Sequence, residues 1–179
     1  TRNFGRYFRR LAILAVVSEI PFNLENGAVF DPARQNVLWT FCLALLTLRR
    51  LETLGRERGF GRWAGCGLVL AAGFAAGELL RTDYGGWGVV TVALLQLCRD
   101  GKYAKLWLLL AMAAVNGLGM GSLTMPVFGG EMPIQIFAVA ALPVIWLYNG
   151  QAGPKGLRRA FYVFYPAHLL VLEGIRTLT

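Results

Sequence analysis

The sequence predicts an all-α protein, a polytopic transmembrane helical bundle of about seven spans. Composition is the first observation: 56% of the 179 residues are hydrophobic and only 16% are charged, which is more apolar than a soluble domain. The second is that the apolar residues form blocks near the ~20 residues needed to cross a bilayer, separated by short polar links. We therefore predict a single integral membrane domain over residues 1–179.

The placement of basic residues is the third observation. The predicted spans are roughly 8–24, 36–50, 63–80, 84–98, 103–120, 132–148 and 158–177. Of the 18 Lys and Arg residues, 15 lie at the amino terminus or around the second, fourth and sixth links. Because basic residues mark the cytoplasmic side, we expect a multi-pass protein of the bacterial inner membrane with its amino terminus cytoplasmic and its carboxyl terminus outside. Topology thus accounts for the net charge of +8 without a nucleic-acid partner.

The acidic residues have the opposite distribution, which predicts a polar outer vestibule. Seven of the 10 Asp and Glu residues fall on the outer half or in outer links: Glu19, Glu25, Asp31, Glu78, Asp83, Glu131 and Glu173.

The last apolar block holds the only histidine, His168, two residues after Pro166. A proline inside a helix frees the carbonyl four residues earlier, here that of Tyr162, and that group needs a partner. This predicts a kinked helix facing protein or a wet cavity, with a titratable imidazole beside the kink. His168 is then either a site residue or a packed histidine bonded to a neighbouring helix.

Two carboxylates lie at the ends of predicted spans. Glu19 follows an apolar run, so we expect it to be paired, protonated or in a wet cavity, or else to snorkel to the outer interface. Pro21 is expected to end or kink that helix. Asp83 and Tyr84 precede Gly85 in a glycine-rich outer turn, where the backbone can approach other groups closely.

Two asparagines have alternative roles. Asn36 either caps the second helix or belongs to a site. Asn149 either forms a helix C-cap with Gly150 or contacts a cytoplasmic donor. Pro133 is expected in the first turn of the sixth span, and Gly73 with Gly77 forms a small-residue surface for close helix packing.

Motifs of several enzyme classes are absent. The chain has no Walker A loop, dinucleotide fingerprint, H-E-x-x-H or G-x-S-x-G, so ATP-driven transport, zinc hydrolysis and serine hydrolysis have no support. The scattered Cys42, Cys66 and Cys98 predict neither a metal site nor a disulfide framework.

Several short segments together resemble the TraX family of membrane proteins, which is associated with acetylation of conjugative pilin subunits. They occur in family order over nearly the whole chain. The segments are Tyr7-x-x-Arg10-Leu11, Ser18-Glu19-Ile20-Pro21-Phe22, Gln35-Asn36-Val37-Leu38 with Thr40, Asp83-Tyr84-Gly85, Ala141-Leu142-Pro143, Tyr148-Asn149-Gly150 and Phe164-Tyr165-Pro166-Ala167-His168.

The resemblance implies an acyltransferase-like fold, acetyl-CoA as donor and an amine acceptor such as a pilin amino terminus. Such chemistry needs a base and a carboxylate that orients it, for which His168, Glu19 and Asp83 are the catalytic candidates. The substrate-binding candidates are Asn36, Tyr84, Asn149 and Tyr165. The basic residues Arg10, Lys155, Arg158 and Arg159 either hold donor phosphates or serve only as topology signals.

Family members usually begin with a further segment, so the resemblance also implies that this chain lacks one or two amino-terminal spans. Other functions stay open. The alternatives to an acetyltransferase are a non-enzymatic membrane assembly partner and a small-solute transporter that uses Glu19, Asp83 and His168 as a polar pathway.

Overall fold

The computed structural model describes residues 3–55, 60–98, 102–119, 123–127, 129–149, 151 and 155–178, and they are mostly helical. The α-helices are α1 (Phe4–Glu25), α2 (Val37–Leu54), α3 (Phe60–Leu79), α4 (Gly85–Leu97), α5 (Ala104–Ala114), α6 (Leu142–Trp146) and α7 (Lys155–Leu178). A π-helical turn, Val115–Gly119, continues α5, and a 3-10 helix, Ile134–Ala141, leads into α6.

The first four helices pack as a bundle in which neighbours in the sequence run antiparallel. The Arg49 guanidinium, near the end of α2, lies 4.8 Å from the ring centroid of Phe4 at the start of α1. At the opposite end, the Asn36 side chain donates to the carbonyl oxygen of Ala15. Helix α2 also packs against α3 and α4, so it is the central helix of this part.

Helix α7 packs along α1 in the same direction. Its end reaches the end of α1, where an Arg176 Nη2 donates to the carbonyl oxygen of Leu24 over 3.5 Å. A buried cluster formed by Leu11, Ala15, Leu38 and Cys42 joins α1 to α2, and Tyr165 of α7 packs against it.

The small residues of α3 allow the close packing that the sequence predicts. A Cβ added at Gly73 would collide with the Thr47 side chain of α2. A Cβ added at Gly77 would lie 2.6 Å from the backbone of Gly85. Both glycines are buried, so the expected small-residue surface is confirmed and serves two different neighbours.

The predicted sixth span, 132–148, is not one α-helix. An antiparallel hairpin of β1 (Thr124–Val127) and β2 (Gly130–Pro133) comes first, with Thr124 paired to Pro133 and Val127 to Gly130. Pro133 ends β2 and caps the 3-10 helix, so its placement in the first turn of an α-helix was wrong. The Thr124 hydroxyl donates to the Glu131 carboxylate over 2.9 Å, which links the two strands across the hairpin.

Two further local expectations need correction. Helix α1 does not end at Pro21 but continues to Glu25 with the proline inside it. Asn149 does not cap α6, which ends at Trp146 with Leu147 as its C-cap; instead, its side-chain oxygen accepts from the backbone N–H of Gln151. Within the described ranges, we find no helix that combines the length and the apolar character required to span a bilayer.

Candidate functional site

An open cleft of about 590 Å³ lies between α2, α4, α5 and α7. Four of the residues predicted for the site line this cleft: Asp83, Tyr84, Tyr165 and His168. Other polar groups in its wall are Glu25, Asn26, Thr40, Asn116 and Gln135. Carboxylates, a phenol, an imidazole and neutral polar groups therefore share one space.

His168 is half-buried in the wall of this cleft. Its Nδ1 lies 3.1 Å from the carbonyl oxygen of Phe164, one turn earlier on α7. The imidazole also stacks on the Phe164 ring at 5.1 Å between centroids and tilts against Tyr165 at 5.3 Å. Because a carbonyl oxygen only accepts, Nδ1 carries the proton in the neutral ring, which leaves the lone pair on Nε2.

Tyr165 connects His168 to the helix on the other side of the cleft. Its hydroxyl is hydrogen-bonded to the backbone of Val37, the first residue of α2. It also interacts electrostatically with Asp83, Glu19 and Tyr84. A hydroxyl at a helix amino terminus can accept from a free backbone N–H. Tyr165 therefore contacts the imidazole on one side and the start of α2 on the other.

Backbone hydrogen bonds between two loops place Asp83 at the rim of the cleft. The N–H of Asp83 donates to the carbonyl oxygen of Gln35 over 2.8 Å. The N–H of Gln35 donates in turn to the carbonyl oxygen of Arg81 over 3.0 Å. Thr82 and Gln35 thereby form an isolated parallel β-bridge. Asp83 comes from one connection and Gln35 from another, so neither loop alone determines the position of this carboxylate.

Asp83 remains exposed on its outer side but has lost part of its hydration. This desolvation raises the pKa of its carboxyl above the ordinary value, Arg34 opposes the effect, and the carboxylate of Glu25 adds to it. Asp83 therefore holds a proton more readily than a free aspartate does.

Glu19 lies behind the cleft wall, between α1 and α2. Its Oε2 accepts from Asn36 Nδ2 and, over 3.1 Å, from Trp39 Nε1, while its Oε1 is buried without a hydrogen-bond partner among the described residues. Two neutral donors therefore hold the Glu19 carboxyl between α1 and α2. His168 makes no hydrogen bond to it in the described part of the chain.

Asn36 caps α2, which is one of the two roles predicted for it, and it is not among the residues that line the cleft. Its side-chain oxygen accepts from the N–H of Leu38 over 3.0 Å and caps α2. Its Nδ2 donates to Glu19 and to the carbonyl oxygen of Ala15. The residue is fully buried, so it joins the cap of α2 to the carboxylate of α1.

Tyr84 and Asn149 lie at different ends of the molecule. Tyr84 lines the cleft directly beside Asp83. Asn149 lies after α6, which packs through Trp146 against Lys105, and the cleft lining does not include it. Of the proposed phosphate-binding residues, Arg10 lines an open groove of about 410 Å³ with Tyr162; the side chains of Lys155, Arg158 and Arg159 lie outside the described part of the structure.

Thr40 and Asn116 are cleft residues that the sequence analysis did not assign to the site. Thr40 is 1% exposed, and its hydroxyl has no hydrogen-bond partner among the described residues. Asn116, in the π-helical turn, is 2% exposed and donates to the carbonyl oxygen of Met112 in α5. A polar residue in an apolar block is the only available signal, and Thr40 lies within one of the segments that resemble the TraX family. Among the described residues no cluster of His, Cys, Asp and Glu side chains suits a metal ion.

Comparison with known proteins assigns the chain to a family. The family model described as TraX protein matches residues 1–176, so the chain belongs to the TraX family. It is 29% identical over 184 residues to the probable fimbrial assembly protein FimC, serogroup H1, of Dichelobacter nodosus, with 96% of this chain and 72% of that protein covered. No solved structure matches the chain.

Proposed function

We propose that this protein is an integral membrane acyltransferase that transfers acetyl from acetyl-CoA to an amine, such as the amino terminus of a pilin-like protein. Membership of the TraX family and the likeness to a fimbrial assembly protein support a pilin-related role. The observation that carries the enzymatic part is His168, whose Nε2 lone pair is left available in a cleft of substrate size.

The proposed reaction begins when the bound acceptor has lost its ammonium proton to solvent and lies as a neutral amine near His168 Nε2. The amine nitrogen attacks the thioester carbonyl, a C–N bond forms, and its proton passes to Nε2. The C–S bond then breaks, and the proton is transferred from the imidazolium to the sulfur of CoA. The hydrogen bond from Nδ1–H to the Phe164 carbonyl fixes the tautomer that this step requires.

The carboxylates at the rim suit a cationic acceptor. Asp83 and Glu25 both line the cleft, and two nearby negative charges attract a protonated amine. An incoming ammonium group would stabilise the charged form of Asp83, whose pKa is raised by desolvation in the absence of a ligand. We assign Asp83 and Glu25 to acceptor binding, with Tyr84 beside them.

The donor would approach along the seam between α1 and α7. The groove there is apolar except for Arg10 at its mouth and the Tyr162 hydroxyl. Tyr162 precedes Tyr165 by three residues, which is about one helical turn. Arg10 would hold a phosphate of the donor, while the apolar wall would accept its extended arm.

Exposed apolar side chains support placement in a bilayer. Ile13, Val16, Val17 and Ile20 of α1 are each more than half exposed, which is costly in water and favourable in lipid. The two ends of the bundle also differ, with Arg49 near one end and Asp83 at the other. The proposed topology would place the Arg49 end of the bundle in the cytoplasm.

The experiment is transfer of labelled acetyl from acetyl-CoA to membrane proteins, using the complete open reading frame in bacterial membranes that contain pilin. Label should appear on a pilin-sized protein with the wild type. His168→Ala should lower the rate by at least ~100-fold, because general-base catalysis contributes about that much, while membrane insertion is unchanged. No transfer by the wild type, or full transfer by His168→Ala, would refute the enzymatic proposal.

A second candidate is a non-enzymatic membrane assembly partner of a pilus. The name of the relative, which describes assembly and no catalysis, favours it. In that case His168→Ala would leave pilus assembly intact, and no acetyl label would be found on pilin from wild-type cells.

A further inference from the structure

A second groove, of about 660 Å³, lies on the opposite side of α2 from the cleft. Its apolar wall is formed by Trp39, Leu43 and Leu46 of α2 and by Leu79 and Leu80 at the end of α3. On α2 the cleft uses Val37, Thr40 and Phe41 instead. The two spaces therefore share no α2 residue.

One end of this groove is polar and carries an arginine. Gln35, Arg81 and Thr82 line that end. Arg81 has φ +51°, a left-handed conformation unfavourable for a residue with a Cβ. Two hydrogen bonds hold its backbone in this conformation: the Arg81 N–H donates to the carbonyl oxygen of Glu78, and the Arg81 carbonyl oxygen accepts from the N–H of Gln35.

The Arg81 guanidinium has no ion pair or hydrogen bond among the residues that the structure describes. Three acidic residues, Glu19, Glu78 and Asp83, lie at the same end of the bundle. A second arginine there, Arg34, lines a pocket together with Glu78 and Asp83. An unpaired arginine at the mouth of an apolar groove is complementary to a ligand with an anionic head and an apolar body.

The length of the groove fits one acyl chain. From its start at Val37 to Leu46, α2 rises about 14 Å at 1.5 Å per residue, and Gln35 extends the groove beyond the helix. That is about half of a ~30 Å hydrocarbon core, the depth of one leaflet. An acyl chain of a bilayer lipid therefore extends along the groove when its phosphate lies at Arg81.

We propose that this groove binds an anionic phospholipid, with the phosphate on Arg81 and one acyl chain against Trp39, Leu43 and Leu46. The proposal requires that the protein lies in a bilayer but not that it transfers acetyl groups. Arginine pairs with phosphate through two parallel N–H donors, so the site distinguishes phosphatidylglycerol from zwitterionic phosphatidylcholine through the net charge at its mouth.

The test is native mass spectrometry of delipidated protein in detergent, titrated with phosphatidylglycerol or phosphatidylcholine of identical acyl chains. Wild type should retain one phosphatidylglycerol more tightly than phosphatidylcholine. Arg81→Gln should weaken phosphatidylglycerol binding by about tenfold or more, the effect of one charged hydrogen-bonded contact, and remove the preference. Leu43→Trp should block binding of both lipids by filling the groove.

Matched variants control for charge and bulk. Arg34→Gln removes an arginine that lines a neighbouring pocket but not the groove, and Val16→Trp adds an indole on the exposed face of α1; both should bind phosphatidylglycerol like wild type. Equal binding of the two lipids by wild type, equal losses in Arg81→Gln and Arg34→Gln, or preferential binding of free palmitate would overturn the proposal.

Fluorescence provides a test that does not rely on Leu43→Trp folding correctly. Trp39 lines the groove, so one equivalent of phosphatidylglycerol with brominated acyl chains should quench part of the tryptophan emission. That part should be missing in Trp39→Phe. Quenching of equal size in the two proteins would place the lipid elsewhere and contradict the assignment.

Discussion

The Nδ1 atom of His168 lies 3.1 Å from the carbonyl oxygen of Phe164, its neighbour one turn earlier on the same helix. The sequence had suggested Glu19 or Asp83 as the group that orients the imidazole, yet α7 itself provides the acceptor. The tautomer with a free Nε2 is therefore a local property of α7, and the carboxylates are available for other tasks.

His168→Gln tests whether this imidazole is a base. Glutamine keeps hydrogen-bonding capacity but cannot take up a proton near neutral pH, so transfer of labelled acetyl should fall by ~100-fold or more. Phe164→Leu is the matched control, because it removes the stacked ring and keeps the carbonyl; the loss should be no more than about tenfold. If His168→Gln keeps a substantial rate, the imidazole only orients substrate.

Asn36→Ala should destabilise the protein more than loss of a helix cap alone. The cap contributes about 1 kcal/mol, and removing Nδ2 leaves the Glu19 carboxylate with fewer donors at a further cost of about 1–3 kcal/mol. Asn3→Ala is the control, since Asn3 caps α1 at an exposed position through the N–H of Arg6. Thermal unfolding in detergent measures both, and equal shifts in Tm would contradict the Glu19 network.

Gly77→Ala should be among the most damaging single-methyl changes in the protein. Its Cβ would lie 2.6 Å from the backbone of Gly85, which cannot rotate away, so α3 and α4 would have to separate at a cost of about 1–3 kcal/mol. Gly67→Ala, on the same helix with nothing within 4 Å, should be neutral or stabilising by up to ~1 kcal/mol. Similar Tm values for the two variants would show that the close approach is wrong.

The raised pKa of Asp83 predicts a pH-dependent effect of Asp83→Asn. Because the folded protein binds this proton more tightly than the unfolded chain, the carboxyl stabilises the fold below the ordinary pKa near 3.8, and the effect is lost as pH rises through the folded pKa. The amide does not titrate, so the variant should gain stability relative to wild type from acid to neutral pH. Tm measured across this range checks the sign, and a relative loss would contradict it.

Labelling of single cysteines in intact cells tests the membrane topology. In a cysteine-free background, Glu131→Cys in the hairpin should react with an impermeant maleimide, and Gly153→Cys should react only after permeabilisation. The expectation follows from the distribution of basic residues along the chain. Labelling of Gly153→Cys in intact cells would reverse or refute the topology.

Sequence periodicity located most helices but did not show which helices pack against each other. Apolar blocks placed α1–α5 and α7 within several residues, since helix formation depends on local composition. The hairpin before the 3-10 helix was missed because its strands, each of four residues, contain prolines and little alternation. Pro21 was expected to end or kink α1; the helix continues through it to Glu25, and α1 packs on α2 and α7.

The candidate site was predicted only in part, because the sequence gives residue types but not the contacts between helices. His168, Tyr165, Asp83 and Tyr84 share the cleft, and their residue types alone attracted attention. The donation from Trp39 to Glu19 depends on how α2 is rotated about its axis, and no spacing within one helix encodes this. Thr40 has an ordinary residue type, so only its buried, unpartnered hydroxyl distinguishes it.

The bridge between Gln35 and Thr82 joins the turn between α3 and α4 to the connection that precedes α2. Arg81 lies on the groove side of Thr82 and Asp83 on the cleft side, and the Gln35 backbone bonds to both of them. A shift of Arg81 that kept these hydrogen bonds would move the Gln35 backbone and, with it, Asp83. If this movement accompanied binding, an anion at Arg81 and a cation at Asp83 would change each other's affinity by the same factor, as linkage requires of two coupled sites.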